Sequence, residues 1–183
     1  MVDDLVNDAK ERMAKSVDAT RTEFNTVRTG RATPALLDRL VVEYYGVPTP
    51  LQQMATVSAP DPRSLLIQPY DVNSLGDIEK AINESDLGIN PSNDGKVVRL
   101  AIPQLTEERR KELVKVVRAL AEDGRIAIRN IRRDVISDLH ELENEVGIDD
   151  IHRAEERVQK ITDEHVGQID ALLKQREADI MEV

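Results

Sequence analysis

All eight prolines of this 183-residue chain fall between Pro34 and Pro103. A proline inside a helix removes a backbone hydrogen bond and clashes with the preceding turn, so only the two proline-free flanks can build long helices. From Val2 to about Arg28, the residues Val2, Leu5, Val6, Ala9, Met13, Val17, Phe24 and Val27 recur at three- and four-residue steps without a glycine. That spacing predicts one amphipathic helix about 40 Å long. The same pattern returns after Pro103. Thr106 offers an N-cap, and Glu107 and Glu108 suit the positive end of a helix dipole. The run extends to Glu145-Val146, where Gly147 is the expected stop. Asp149 or Asp150 is the expected cap of a third helix, with Ile151, Ala154, Val158, Ile161, Ile169 and Leu172 facing inward. Helices this long draw their stability from one another's apolar faces, so the flanks predict an antiparallel three-helix bundle.

The middle reads differently. Short β-type runs occur at Leu40–Tyr45, Met54–Val57, Leu65–Tyr70 and Val97–Ile102, separated by turn signals at Gly46-Val47-Pro48 and Asn93-Asp94-Gly95. One helical piece, Ser74–Ser85, places Leu75, Ile78, Ala81 and Ile82 on a single face. The expected fold is therefore α+β. A three-helix bundle of residues 1–29 and 106–183 carries a small β/α/β domain, residues 30–105, inserted between helix one and helix two. An insertion leaves two chain crossings, and the expected two-strand hinge comprises Thr29, Gly30, Arg31 and Ala32 on one side and Pro103, Gln104 and Leu105 on the other.

Composition excludes several functions. With 40% apolar residues the chain can form a core, which a disordered chain could not. It has no cysteine, hence no disulfide frame, thiol nucleophile or zinc ribbon. No run approaches the roughly 18 apolar residues of a membrane span, and Met1–Asp8 lacks the basic and apolar regions of a signal peptide. The expected location is cytoplasmic, with no membrane partner. Only Phe24, Tyr44, Tyr45 and Tyr70 are aromatic, too few for a platform on which bases stack.

Catalytic and metal readings fail one by one. Gly88 and Gly95-Lys96 are too far apart for a phosphate loop, and Val97 stands where a magnesium-binding hydroxyl should be. His140, His152 and His165 lie on long helices without a second ligand at metal spacing, and His165 is expected as a hydrogen-bonded residue of the bundle interior. The acid pairs Glu107-Glu108, Asp149-Asp150 and Glu155-Glu156 suit helix starts or solvated faces. The sequence offers no catalytic site, metal site or cofactor site.

One feature stands out from an acidic background. The net charge of the chain is −10. Residues 109–133 nevertheless hold nine cations against three acids, a net +6, which leaves −16 on the remainder. At about 100° per residue, Lys111, Lys115, Arg118, Arg125, Arg129, Arg132 and Arg133 share an arc of roughly 100°, in which Glu122 is the one acid. Leu113, Val116, Val117, Leu120, Ala127 and Ile131 centre on the other side. A stripe without interleaved acids, richer in Arg than in Lys, predicts an anionic partner, since the guanidinium fork grips phosphate bidentately. A rigid rod of this kind suits the phosphates and 2′-hydroxyls of structured RNA.

Arg28-Thr29-Gly30-Arg31-Ala32, Val42-Glu43-Tyr44-Tyr45-Gly46 and Ser85-Asp86-Leu87-Gly88-Ile89-Asn90-Pro91 resemble the ribosome recycling factor family. So do Leu105-Thr106-Glu107-Glu108-Arg109-Arg110 and Arg129-Asn130-Ile131-Arg132-Arg133, and the resemblance runs in order along essentially the whole chain. It implies a bundle and a β/α/β domain arranged as an L. The implied function is splitting of the post-termination 70S ribosome into subunits, with elongation factor G and GTP, by a monomer that is not itself an enzyme. It further implies that the bundle lies along the 50S subunit across the A and P sites. There, 23S rRNA would be contacted by Arg132 first, then Arg129, Arg133, Arg110 and Arg109, with Arg28 and Arg31 beside the hinge. A coiled-coil cochaperone or exchange factor and a cryptic hydrolase remain the alternatives. The expectation for Gly124, inside the long helix on its apolar side, is a close approach of another helix.

Overall fold

The computed structural model describes residues 1–182. The chain forms two compact units, one of Met1–Thr29 with Glu107–Val183, the other of Gly30–Thr106.

The first unit is a bundle of α1 (Val2–Thr26), α4 (Glu107–Glu141) and α6 (Ile148–Met181), each packed against both others. Val6, Ala9, Met13, Val17, Thr20 and Phe24 are buried on α1, and Ile151, Ala154, Val158, Thr162, His165 and Ile169 on α6. Steps of three and four residues keep each row on one side of its helix. On α4 the buried row is Leu113, Val117, Ala121, Gly124, Ile128, Ile131, Val135 and Leu139. This row keeps Leu113, Val117 and Ile131 of the expected apolar face but is rotated from its centre, so that Val116 is 44% exposed. The long second helix is also interrupted. Its helical hydrogen bonding breaks at Leu142 before a final turn, α5 (Glu143–Val146). Gly147, at φ 88°, then caps α6 itself, and Asp149 and Asp150 sit in the first turn. A glycine takes this backbone angle without the Cβ penalty that any other residue would meet.

Polar bonds between helices accompany the docked register. Arg12 reaches Asp134 at 3.1 Å and Arg157 reaches Asp3 at 2.6 Å. Gly124 lies where α4 meets both neighbours: a Cβ there would run into Thr20 Oγ1 and stand 2.9 Å from Ile169 Cδ1. The glycine thus trades about 1 kcal/mol of helix propensity for contact among three helices. His165 is buried, and its Nδ1–H donates to the Ile161 carbonyl at 2.7 Å.

The second unit holds a four-stranded antiparallel sheet in the order β3-β4-β6-β5, built from β3 (Ala55–Asp61), β4 (Ser64–Pro69), β5 (Pro91–Asn93) and β6 (Val98–Ala101). A separate hairpin pairs β1 (Val41–Tyr44) with β2 (Val47–Pro50). Val47-Pro48 is therefore strand, and the turn is Tyr45-Gly46, with φ of 49° and 77°. Two positive φ values define the hairpin turn that matches strand twist. Counting from that turn, Pro48 and Pro50 occupy positions whose nitrogen faces away from β1, so neither costs a ladder bond. A helical turn, α2 (Leu51–Met54), leads into β3, and α3 (Leu75–Glu84) covers the sheet. Ile78 and Ile82 of α3 join Val42, Leu65, Ile67, Val98 and Leu100 in one core.

The two ends of this unit converge on a single turn. Ala32 N–H donates to the Pro62 carbonyl and Ile102 N–H to the Arg63 carbonyl, each at 2.7 Å. Gly30, at φ 76°, packs so close to Leu105 that a Cβ would lie 2.8 Å from its Cγ. No helix among the described residues is long and apolar enough to cross a membrane.

Candidate nucleic-acid interface

The cationic face belongs to α4 and flanks the row that the bundle core buries. Its first cations, Arg109 and Arg110, follow Glu107 and Glu108 at the helix start. Arg109 is exposed and bonds Glu112 at 2.9 Å. Arg110 is partly buried, and its Nε has no hydrogen-bond partner. About 30 Å along the same helix, at 1.5 Å per residue, Arg129, Arg132 and Arg133 come together on successive turns. Arg28 is exposed just beyond α1, and Arg31, also exposed, belongs to the other unit.

The stripe is more heavily paired than its own helix suggests. Arg125 bonds Glu122 at 3.1 Å and Asp170 of α6 at 2.7 Å, and its side chain is only 21% exposed. Burial opposes the charge on Arg125, but the hydrogen bonds to Asp170 and Glu122 together outweigh it and raise its pKa. Glu122 also accepts from Arg129 at 2.6 Å, so one carboxylate serves two guanidinium groups. Their hydrogen bonds, Arg125 first and Arg129 second, hold the Glu122 carboxyl below its ordinary range. Arg118 bonds Glu177 of α6 at 2.5 Å, and Lys111 bonds Glu107 at 3.3 Å. The sequence expectation of a stripe without acids is thereby corrected. Glu107 and Glu122 belong to α4 itself, whereas Asp170 and Glu177 are supplied by the neighbouring helix, which no single-helix projection can display.

Three cations escape this pattern. Arg132 donates to the neutral amide of Gln159 at 2.9 Å. Arg133 and Lys115 are exposed and make no ion pair or side-chain hydrogen bond among the described residues. The face thus divides into Arg118 and Arg125, which clamp α4 to α6, Lys111 and Arg129, paired within α4, and cations that no carboxylate pairs directly. The last are the groups able to meet phosphate without first giving up a carboxylate partner. Gln159, Asp170 and Glu177 were not among the residues singled out from sequence. Their signal was present in the seven-residue spacing of Asp163, Asp170 and Glu177.

The family model for ribosome recycling factor matches residues 20–181. A ribosome-recycling factor of Bacillus licheniformis is 53% identical over 181 residues, covering 98% of each chain. One from Geobacillus sp. (strain WCH70) is 51% identical over 185 residues, covering 100% of each. Among solved structures, a solution structure of the ribosome recycling factor aligns with a TM-score of 0.75 at 40% identity, over 100% of this chain and 98% of the other. A second describes models for the T. thermophilus ribosome recycling factor and the E. coli elongation factor G bound to the E. coli post-termination complex. It aligns with a TM-score of 0.65 at 49% identity, over 99% of each chain. By these full-length matches and by its bundle with an inserted antiparallel sheet, the chain belongs to the ribosome recycling factor family.

Proposed function

We propose that this protein acts on the post-termination 70S ribosome and, with elongation factor G and GTP, splits it into subunits. The observation that carries this reading is the full-length similarity to a factor solved together with elongation factor G on the post-termination complex. In this reading the α4 face lies on 23S rRNA of the 50S subunit across the A and P sites. Arg132 and Arg133 supply the charge that no carboxylate pairs directly, and Arg129 joins them by exchanging Glu122 for phosphate. Arg109 and Arg110 touch rRNA at the far end of the helix, with Arg28 and Arg31 beside the hinge. The factor works as a cytoplasmic monomer and is not itself an enzyme; elongation factor G hydrolyses the GTP.

The proposed hinge is formed by Thr29, Gly30, Arg31 and Ala32 with Pro103, Gln104 and Leu105. Its support is local. Residues 28–33 and 102–106 carry no helix or strand, and the close approach of Gly30 to Leu105 excludes a larger side chain at position 30. Elongation factor G would push the insert while rRNA holds the bundle, so a stiff bundle transmits the force to the bridges between subunits.

The test is light scattering of post-termination 70S ribosomes with elongation factor G and GTP. Wild type is expected to split them, and Arg132→Gly to lose most of that activity with helicity unchanged. Splitting by both proteins would keep the function and remove Arg132 from the interface. A wild type that neither splits ribosomes nor binds the large subunit would overturn the reading.

A further inference from the structure

Arg118, Arg125 and Arg132 recur every seven residues on α4, and Asp163, Asp170 and Glu177 recur every seven on α6. Seven residues are nearly two helical turns, so each set forms a line along its helix. The two helices run antiparallel, with Arg118 on Glu177 at 2.5 Å and Arg125 on Asp170 at 2.7 Å. The same register brings Arg132 opposite Asp163 as the third rung. That ion pair is not made. Arg132 donates instead to Gln159 Oε1 at 2.9 Å, and Gln159 donates through its Nε2 to Asp163 Oδ1 at 2.8 Å.

We infer that Gln159 is a positioning residue that interrupts this ladder and so reserves the charge of Arg132 for a phosphate. An amide oxygen accepts one guanidinium hydrogen bond and orients the group without offsetting its charge. The amide's other end holds Oδ1 of Asp163, the carboxylate that would otherwise take the arginine. Had the ladder continued, Arg132 would have to break an ion pair before meeting RNA, as Arg118 and Arg125 would. The spacer therefore separates two uses of arginines on one face: rungs that lock α4 to α6, and a contact left available.

This inference rests on the proposed rRNA contact of Arg132, and the test separates the two. Binding of the full-length protein to 50S subunits is measured as a function of salt for wild type, Gln159→Ala, Gln159→Glu, Asp163→Asn and the Gln159→Ala/Asp163→Asn double variant. Each phosphate contact contributes a slope of about 0.7–0.9 in log K against log salt, so losing one costs about fivefold or more at 0.1 M. Gln159→Ala lets Arg132 fall onto Asp163, and Gln159→Glu captures it directly. Both are expected to weaken binding about fivefold and to flatten the salt slope by about one contact. Asp163→Asn alone is expected to change little, yet to restore wild-type affinity and slope when added to Gln159→Ala. A merely structural role for Gln159 would not be rescued in that way. Wild-type binding by both Gln159 variants, or a double variant as weak as the single, overturns the spacer while leaving the interface standing. A wild type without salt-dependent 50S binding overturns both.

Discussion

The bundle fastens its surface with side chains that reach from one helix to another, whereas the insert fastens its turns with aspartates that reach a few residues along the chain. In the bundle, Arg157 meets Asp3 and Arg125 meets Asp170 across gaps that exist only once the helices have docked. In the insert, Asp61 accepts from Arg63 N–H at 2.8 Å and Ser64 Oγ at 2.6 Å, and Asp94 accepts from Lys96 and Val97 N–H at 3.0 Å. Asp71 accepts from Asn73 N–H in the same local way, and is the exception in also accepting from the hydroxyls of Tyr44 and Tyr45, 27 and 26 residues back. Both kinds of contact hold carboxyls below their ordinary range, Asp3 through the Arg157 hydrogen bond and Asp61 through the Ser64 hydroxyl. They differ in how much chain must be ordered first, because short loops lose less entropy on closure than long ones.

All three tyrosines lie in the insert, so tyrosine emission follows that unit and helical circular dichroism chiefly follows the bundle. The largest expected effect separates the two. Ile78→Ala empties a fully buried site in the insert core and should cost about 3 kcal/mol. In denaturant, the tyrosine transition is expected to move while the 222 nm midpoint stays; equal movement of both would merge the units into one cooperative block. A smaller effect probes the bundle alone. Gly124→Ala gains up to about 1 kcal/mol of helix propensity and loses about 2 kcal/mol to overpacking, a net loss read at 222 nm. Thr20→Ala in the same chain should recover part of it, and a Gly124→Ala protein more stable than wild type would remove the close-contact account.

The finest effect is a titration. The hydrogen bond to Asp71 pushes Tyr44 up to about 12. A tyrosine whose pKa is raised on folding contributes stability that is complete below its unfolded value, near 10, and lost as pH rises through the folded value. Asp71→Asn is expected to bring the Tyr44 titration, followed by tyrosinate absorbance, back toward about 10. An unshifted titration would take Asp71 out of that role.

What was legible in the sequence was whatever a single element records about itself. Proline placement and the three- and four-residue steps gave the long helices, and apolar runs gave four of the six strands. β2 was hidden because Gly46-Val47-Pro48 reads as a turn until pairing with β1 shows Pro48 and Pro50 at positions that need no N–H. The stripe was visible on α4, but its pairing was not, since the acids opposite lie 45 residues away for Arg125–Asp170 and 59 for Arg118–Glu177. The register that joins them is a property of two packed helices. At Gly124 the close approach itself was legible from its place on the apolar side, but its partners were not, since Thr20 and Ile169 come from both ends of the chain.

The turn at Pro62-Arg63 has a consequence for folding kinetics. Because it receives Ala32 and Ile102 on adjacent carbonyls, the folded insert presents its two ends side by side. To the bundle it then behaves as a short connection between α1 and α4. Closing a loop of about ten residues rather than about eighty lowers the entropic cost by about 2 kcal/mol. A chain that folds its insert first therefore docks its first two helices at a sequence separation far smaller than the one written in its numbering, and faster for that reason.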